Sequence, residues 1–156
     1  TIKLNNLEDE TLIAKLYEAS NAGVRVKLLV RSICRLVPGV PGQSENITVH
    51  RIVDRFLEHG RIFIFDNAGD ATIYLGSADW MRRNIYHRIE VCFPLKDPLL
   101  KEQLLEIIDL QFRDNVKAVA LNSDLGNVEL PCLGAVTRSQ VEIYKYLSVA
   151  GNHLIN

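Results

Sequence analysis

Residues Asp9–Val30 read DETLIAKLYEASNAGVRVKLLV, and two different periodicities meet inside them. In the first part Leu12, Ile13, Leu16 and Tyr17 fall on one face at helical spacing, with Asp9 and Glu10 in the first turn and Gly23 as a stop. The second part, VRVKLLV from Val24 to Val30, is β-branched and almost continuously apolar, the pattern of a strand covered on both faces. A helix that feeds a buried strand through a tight turn predicts an α/β architecture.

Working outward, Thr1-Ile2-Lys3-Leu4 reads as a strand already in progress. Together with the lack of an initiator Met, this predicts a fragment of a longer chain. Downstream, Arg31–Asn46 (RSICRLVPGVPGQSEN) carries two Pro-Gly pairs that forbid regular structure and stiffen a long loop. Strands are expected at Ile47–Val53, Arg61–Phe65, Ala71–Leu75, Arg88–Leu95 and Val116–Leu121, the second and third as a hairpin around Asp66–Gly69. The strongest helical pattern is Asp97–Phe112, with Leu100, Leu104, Ile107, Ile108 and Gln111 three or four apart. After a polar turn at Asn122–Gly126, a last helix is expected over Thr137–Ser148, capped by Thr137. No repeat or linker interrupts the 156 residues, and 47% hydrophobic content supports one core, so residues 1–156 are read as a single domain.

No stretch approaches the roughly 18 apolar residues of a membrane span, and no basic segment followed by an apolar run marks a signal peptide. Cys34, Cys92 and Cys132 are isolated from one another, which argues against a zinc site or a disulfide framework and for a reducing, cytoplasmic setting. Net charge is −1, yet its distribution is uneven. Arg25–Arg88 holds ten Lys or Arg against six Asp or Glu, and nine of the ten are Arg; outside it Lys outnumbers Arg six to two. A planar guanidinium matches phosphate oxygens bidentately, so an Arg-weighted region favours phosphate recognition. A solvated face of mixed composition would produce the same counts.

Chemistry concentrates in His59-x-Arg61, Asp66, and Gly76-Ser77-x-Asp79. Residues two apart on a strand share a face, and a hairpin would return Gly76–Asp79 to the start of the Arg61 strand, so these residues are expected to converge. An imidazole can attack a phosphoryl group or trade a proton with it, while a guanidinium beside it holds the phosphate. Gly76 would admit a close backbone approach, and Ser77 would donate to a phosphate oxygen. Arg31, leaving the end of a buried strand, stands where α/β sheets place ligands. Arg55, Arg82 and Arg83 are weaker phosphate candidates, and His50, His87 and His153 are assigned no chemistry. Trp80 is read as buried.

The pattern resembles a half-site of the phospholipase D superfamily, with Arg61 where Lys is usual and Asp79 where Asn is usual. Over nearly the whole chain the closer resemblance is to the C-terminal domain of the type 1 polyphosphate kinases. It rests on Leu29-Val30-Arg31, Pro38-Gly39-Val40-Pro41-Gly42 with Ser44-Glu45-Asn46-Ile47, Arg55-Phe56-Leu57-Glu58-His59 with Arg61-Ile62, and Gly76-Ser77-Ala78-Asp79-Trp80-Met81 with Arg83-Asn84. This resemblance implies a phospholipase-D-like mixed β-sheet flanked by helices. It also implies reversible transfer of the ATP γ-phosphate to inorganic polyphosphate through a phosphohistidine of the preceding domain. Arg31 and His59 match family positions that contact the nucleotide phosphates, and His59 becomes the catalytic partner imidazole. Arg61 and Ser77 complete the expected ATP and polyphosphate contacts. The resemblance further implies Mg2+, with ligands elsewhere, ATP/ADP and polyphosphate as substrates, docking to preceding domains of the same chain, a homo-oligomer and peripheral membrane association. No nucleic-acid partner is expected, and the fragment alone is expected to be inactive. A phospholipase-D-type phosphodiesterase half and a non-catalytic phosphate-polymer binding module are the alternative readings.

Overall fold

The computed structural model describes residues 1–132 and 134–151. Among them an eight-stranded mixed sheet carries helices on both faces. Three parallel strands form its middle: β1 (Ile2–Leu4), β2 (Val26–Val30) and β3 (Ile47–Ile52), with β1 and β3 both pairing β2. On one side β4 (Arg61–Phe65), β5 (Thr72–Gly76) and β6 (Cys92–Leu95) continue antiparallel from β1. On the other, β7 (Ala118–Leu121) and β8 (Asn127–Glu129) continue antiparallel from β3. The strand order is β6-β5-β4-β1-β2-β3-β7-β8.

The apolar run of β2 is divided between the two faces by the pleat. Val26, Leu28 and Val30 point to a core shared with Ile13 and Leu16 of helix α1 (Glu10–Asn21), while Leu29 joins Ile62, Ile64, Ile73 and Ile108 under helix α3 (Pro98–Phe112). Burying each such side chain contributes about 1.5–3 kcal/mol, so both faces hold the strand in register. Asp9 caps α1 by accepting from Leu12 N at 3.0 Å, and Gly23 turns the chain at φ +85°. Asp97 caps α3 in the same way.

The Pro-Gly loop between β2 and β3 is ordered by Ser44, which is fully buried. Its hydroxyl donates to Val37 O at 2.7 Å and accepts from Val40 N at 3.0 Å. Three sequence expectations are corrected. Arg82–His87 forms a short helix, α2, and the strand expected at Arg88–Leu95 begins only at Cys92, because Arg88–Val91 turns so that Glu90 can reach Ser77 and Asn84. A strand, β8, follows the Asn122–Gly126 turn and pairs β7. The last helix, α4 (Ser139–Gly151), starts beyond Thr137, and its first amide is met by the carboxylate of Asp114 from outside the helix. Among the described residues no helix is long and apolar enough to cross a membrane.

Candidate functional site

The carboxyl ends of β1 and β2, the start of β4 and the end of β5 lie at the same edge of the sheet. Arg61 pairs Gly76 directly, and Lys3 of β1 pairs Ile62. This edge delivers Asn5 and Asn6 after β1, Arg31 after β2, His59 just before β4, and Asp79 after β5.

His59 is exposed, with its ring between two guanidinium groups. Arg61 Nη2 lies 2.8 Å from Nε2, and Arg31 Nη2 lies 3.5 Å from Nδ1. The sequence expectation that His59, Arg31 and Arg61 share one mouth of the sheet therefore matches the geometry. Arg31 is aimed by Asn5, whose Oδ1 accepts from Arg31 Nε at 2.8 Å.

Arg61 is turned inward more than its reading as a phosphate ligand required. Its side edge meets Asp79, Nε to Oδ1 and Nη2 to Oδ2, both at 3.2 Å. The opposite edge donates from Nη1 to His59 O at 3.0 Å and from Nη2 to His59 Nε2. Asp79 is 3% exposed and also accepts from Asn5 N at 2.9 Å and Asn6 Nδ2 at 3.2 Å. Burial alone would raise the Asp79 carboxyl, but Arg61 and the amides of Asn5 and Asn6 outweigh it and hold it below the usual aspartate range.

The residue before His59 is fixed from below. The Glu58 carboxylate pairs with Lys3 and accepts from Gln111, and Gln140 of α4 donates to it at 3.1 Å. Gln140 also clamps Phe56, accepting from its N–H at 2.9 Å and donating to its carbonyl at 2.8 Å. Arg138 holds Asp54 with two hydrogen bonds, Nε to Oδ2 at 2.8 Å and Nη2 to Oδ1 at 2.5 Å. The start of α4 thus fastens the whole β3–β4 segment that carries His59.

Other expected residues stand apart from this cluster. The Ser77 hydroxyl donates to Glu90 and accepts from Val91 N at 3.0 Å, so it braces the β5 end. Ser77 and Asn84 in turn hold the Glu90 carboxyl below its usual range. A Cβ on Gly76 would meet the Phe63 ring at 3.1 Å; the glycine makes room for Phe63, which stacks on Trp80 at 5.7 Å, and not for a ligand. Asp66 was expected to converge with the others, yet it lies at the far end of β4, about 16 Å away by strand rise. Arg55 lies over the Phe56 ring, and Arg82 and Arg83 are exposed on α2. His50 packs at 5.4 Å on Phe112, where burial, aided by the Lys27 charge, pushes its ring below the usual range. His87 ends α2, and His153 lies outside the described residues.

Sequence reading passed over Asn5, Asn6 and the support of Glu58. The Asn5-Asn6 pair at the carboxyl end of a strand was the available signal, since adjacent amides there serve to fix neighbouring loops. Magnesium does not fit these residues. Among the described residues no group of three His, Cys, Asp or Glu gathers, and the carboxylates of Asp79 and Glu58 are already engaged by protein donors on both oxygens.

The depressed carboxyls predict how stability responds to acid. For Asp79, and likewise Asp114, the folded value lies below the ordinary 3.8, so the stability they contribute is complete above that value. It is lost as pH falls through the folded values. Calorimetric melting temperature is expected to decline below about pH 4, less steeply in Asp79→Asn. A melting temperature flat between pH 5 and pH 3 would contradict this, the window being set by ordinary carboxyl values of about 4.

The family profile described as polyphosphate kinase C-terminal domain 2 matches residues 1–137. The polyphosphate kinase of Klebsiella pneumoniae is 54% identical over 148 residues, which are 94% of this chain and 22% of that protein. That of Escherichia coli (strain K12) is 51% identical over the same length and shares. In the crystal structure of polyphosphate kinase from Porphyromonas gingivalis, a region 44% identical superposes with a TM-score of 0.94, covering 97% of this chain and 24% of that one. The chain spans about a fifth of the length of the curated relatives it matches.

Proposed function

The chain belongs to the polyphosphate kinase family, whose phospholipase-D-like mixed sheet it shares. From that premise we propose that it is the part of a polyphosphate kinase that grips the phosphates being transferred between ATP and polyphosphate. One observation carries this reading. Because Nε2 of His59 accepts from Arg61, Nδ1 bears the ring proton, and it faces Arg31 Nη2, a second donor, at 3.5 Å. Two donors cannot satisfy each other, and an anionic phosphate oxygen seated to one side, within reach of both, satisfies the pair.

The transfer divides into two displacements. An imidazole nitrogen of the preceding domain attacks the γ-phosphorus of ATP; a P–N bond forms, the bond to the bridging oxygen breaks, and ADP leaves. A terminal oxygen of polyphosphate then attacks the same phosphorus, the P–N bond breaks, and the polymer is one phosphate longer. In both steps Arg31 and His59 Nδ1–H hold the peripheral oxygens on which charge is spread, which is the main service a protein renders to phosphoryl transfer. A phosphodiesterase half-site would need a free His59 nitrogen as nucleophile, and its Nε2 is taken.

Titration calorimetry with inorganic tripolyphosphate tests the grip. Binding is expected at low salt, weakening steeply toward physiological ionic strength and dropping about tenfold in Arg31→Ala. Absence of binding by the unaltered chain, or identical binding by the variant, would remove the proposal.

A further inference from the structure

The buried carboxylate of Asp79 touches neither His59 nor Arg31, yet it organises both. Toward one side it accepts from Asn5 N at 2.9 Å, and Asn5 Oδ1 in turn receives Arg31 Nε at 2.8 Å. Toward the other it binds the side edge of Arg61, whose end edge then meets the carbonyl and Nε2 of His59. Four of the five guanidinium N–H groups of Arg61 are thereby used inside the protein. Arg61 is 15% exposed and Asp79 5% at the side chain, so the pair is shielded and its two-bond geometry rigid.

We propose that Asp79 is a positioning residue that sets the tautomer of His59: through Arg61 it keeps Nε2 free of a proton and leaves the ring N–H on Nδ1, directed to the side of Arg31. Which imidazole nitrogen carries the proton is decided by the hydrogen bond made at the other. Both ring nitrogens face a guanidinium, which can only donate, but a neutral imidazole has a single acceptor nitrogen, and the shorter contact, 2.8 Å at Nε2 against 3.5 Å at Nδ1, claims it. Without the carboxylate, Arg61 has no reason to present this edge, and the exposed ring is free to exchange its proton between nitrogens. The use of the Nδ1 proton on a phosphate oxygen rests on the function proposed above; the tautomer itself does not.

The experiment is 15N–1H long-range correlation spectroscopy of the histidine rings in the chain at neutral pH, paired with tripolyphosphate titration. His59 is expected to show a protonated Nδ1 and an unprotonated Nε2. In Asp79→Asn the two nitrogen shifts should move toward each other as the tautomers mix, with about a tenfold loss of tripolyphosphate affinity. Arg61→Gln, which leaves the buried carboxylate in place, should produce the same convergence and decides the matter if Asp79→Asn does not fold. A merely structural Asp79 would lower the melting temperature and leave the His59 nitrogens unmoved, which overturns the proposal, as does an Nε2-protonated ring in the unaltered chain. The expected tautomer without tripolyphosphate binding would instead overturn the phosphate grip and leave the positioning role standing.

Discussion

In a full-length polyphosphate kinase carrying this domain, His59→Ala is expected to lower polyphosphate synthesis from ATP by about 10²- to 10³-fold, the usual cost of removing one hydrogen-bond donor aimed at charge that develops in the transition state. The loss should appear in kcat, because the contact to the peripheral oxygens strengthens as charge develops on them. Stability should hardly change. His59 is exposed and bonded only to side chains and loop groups, so thermal unfolding of the variant should lie within about 0.5 kcal/mol of the parent. Arg31→Lys should retain more activity than Arg31→Ala, since an ammonium keeps the charge but cannot bond Asn5 and a phosphate oxygen in the same plane. Radiolabelled phosphate incorporation measures all three variants. Near-normal synthesis by His59→Ala would take the histidine out of the chemistry.

Asp114→Ala is expected to cost about 3–5 kcal/mol of folding stability, the upper range for a single substitution that breaks a buried hydrogen-bond network. Asp114 is 1% exposed. One of its oxygens accepts from the amides of Val116, Lys117 and Ala118 at 2.7–3.1 Å, and the other from Ser139 N and Oγ, each at 2.7 Å. Burial would raise this carboxyl; the donors of Lys117, Ser139 and Val116 hold it below the usual range instead. Removing it strands those donors in the interior, where each unsatisfied group costs about 1–3 kcal/mol before relaxation. Urea denaturation checks the value. Exposed Asp109→Ala, which loses an ion pair with Arg113 at the C-terminal cap of α3, should lie within about 1 kcal/mol of the parent. The damage should also reach the site, because Ser139 anchors the start of α4 and the next residue, Gln140, clamps Phe56 and Glu58 beside His59. An Asp114→Ala chain as stable as Asp109→Ala would show that the five bonds are dispensable.

Much of this molecule could be read along the chain. The α1–β2 unit, the hairpin of β4 and β5 and the long α3 are each specified by the spacing of neighbouring side chains. Asp9 and Asp97 announced their helices because a cap bonds to an amide three residues on. The elements missed are those whose cause lies far away in sequence. α2 and the late start of β6 follow from Glu90 bonding Ser77 and Asn84, and β8 exists because β7 offers an edge.

The same division runs through the site. The residue types were legible: an imidazole, guanidinium groups and a strand-end turn are local chemistry, and the order of β-strands brings them to one edge. Which guanidinium is spent inside the protein and which keeps donors free was not. Arg31 and Arg61 look alike in a sequence, and only the fold places a buried carboxylate 3.2 Å from one and the amide oxygen of Asn5 beside the other. Sequence by itself determined what functional groups this protein owns; tertiary structure alone decided their partners, because a hydrogen bond is a statement about distance and direction between residues that the chain keeps 18 or 26 positions apart.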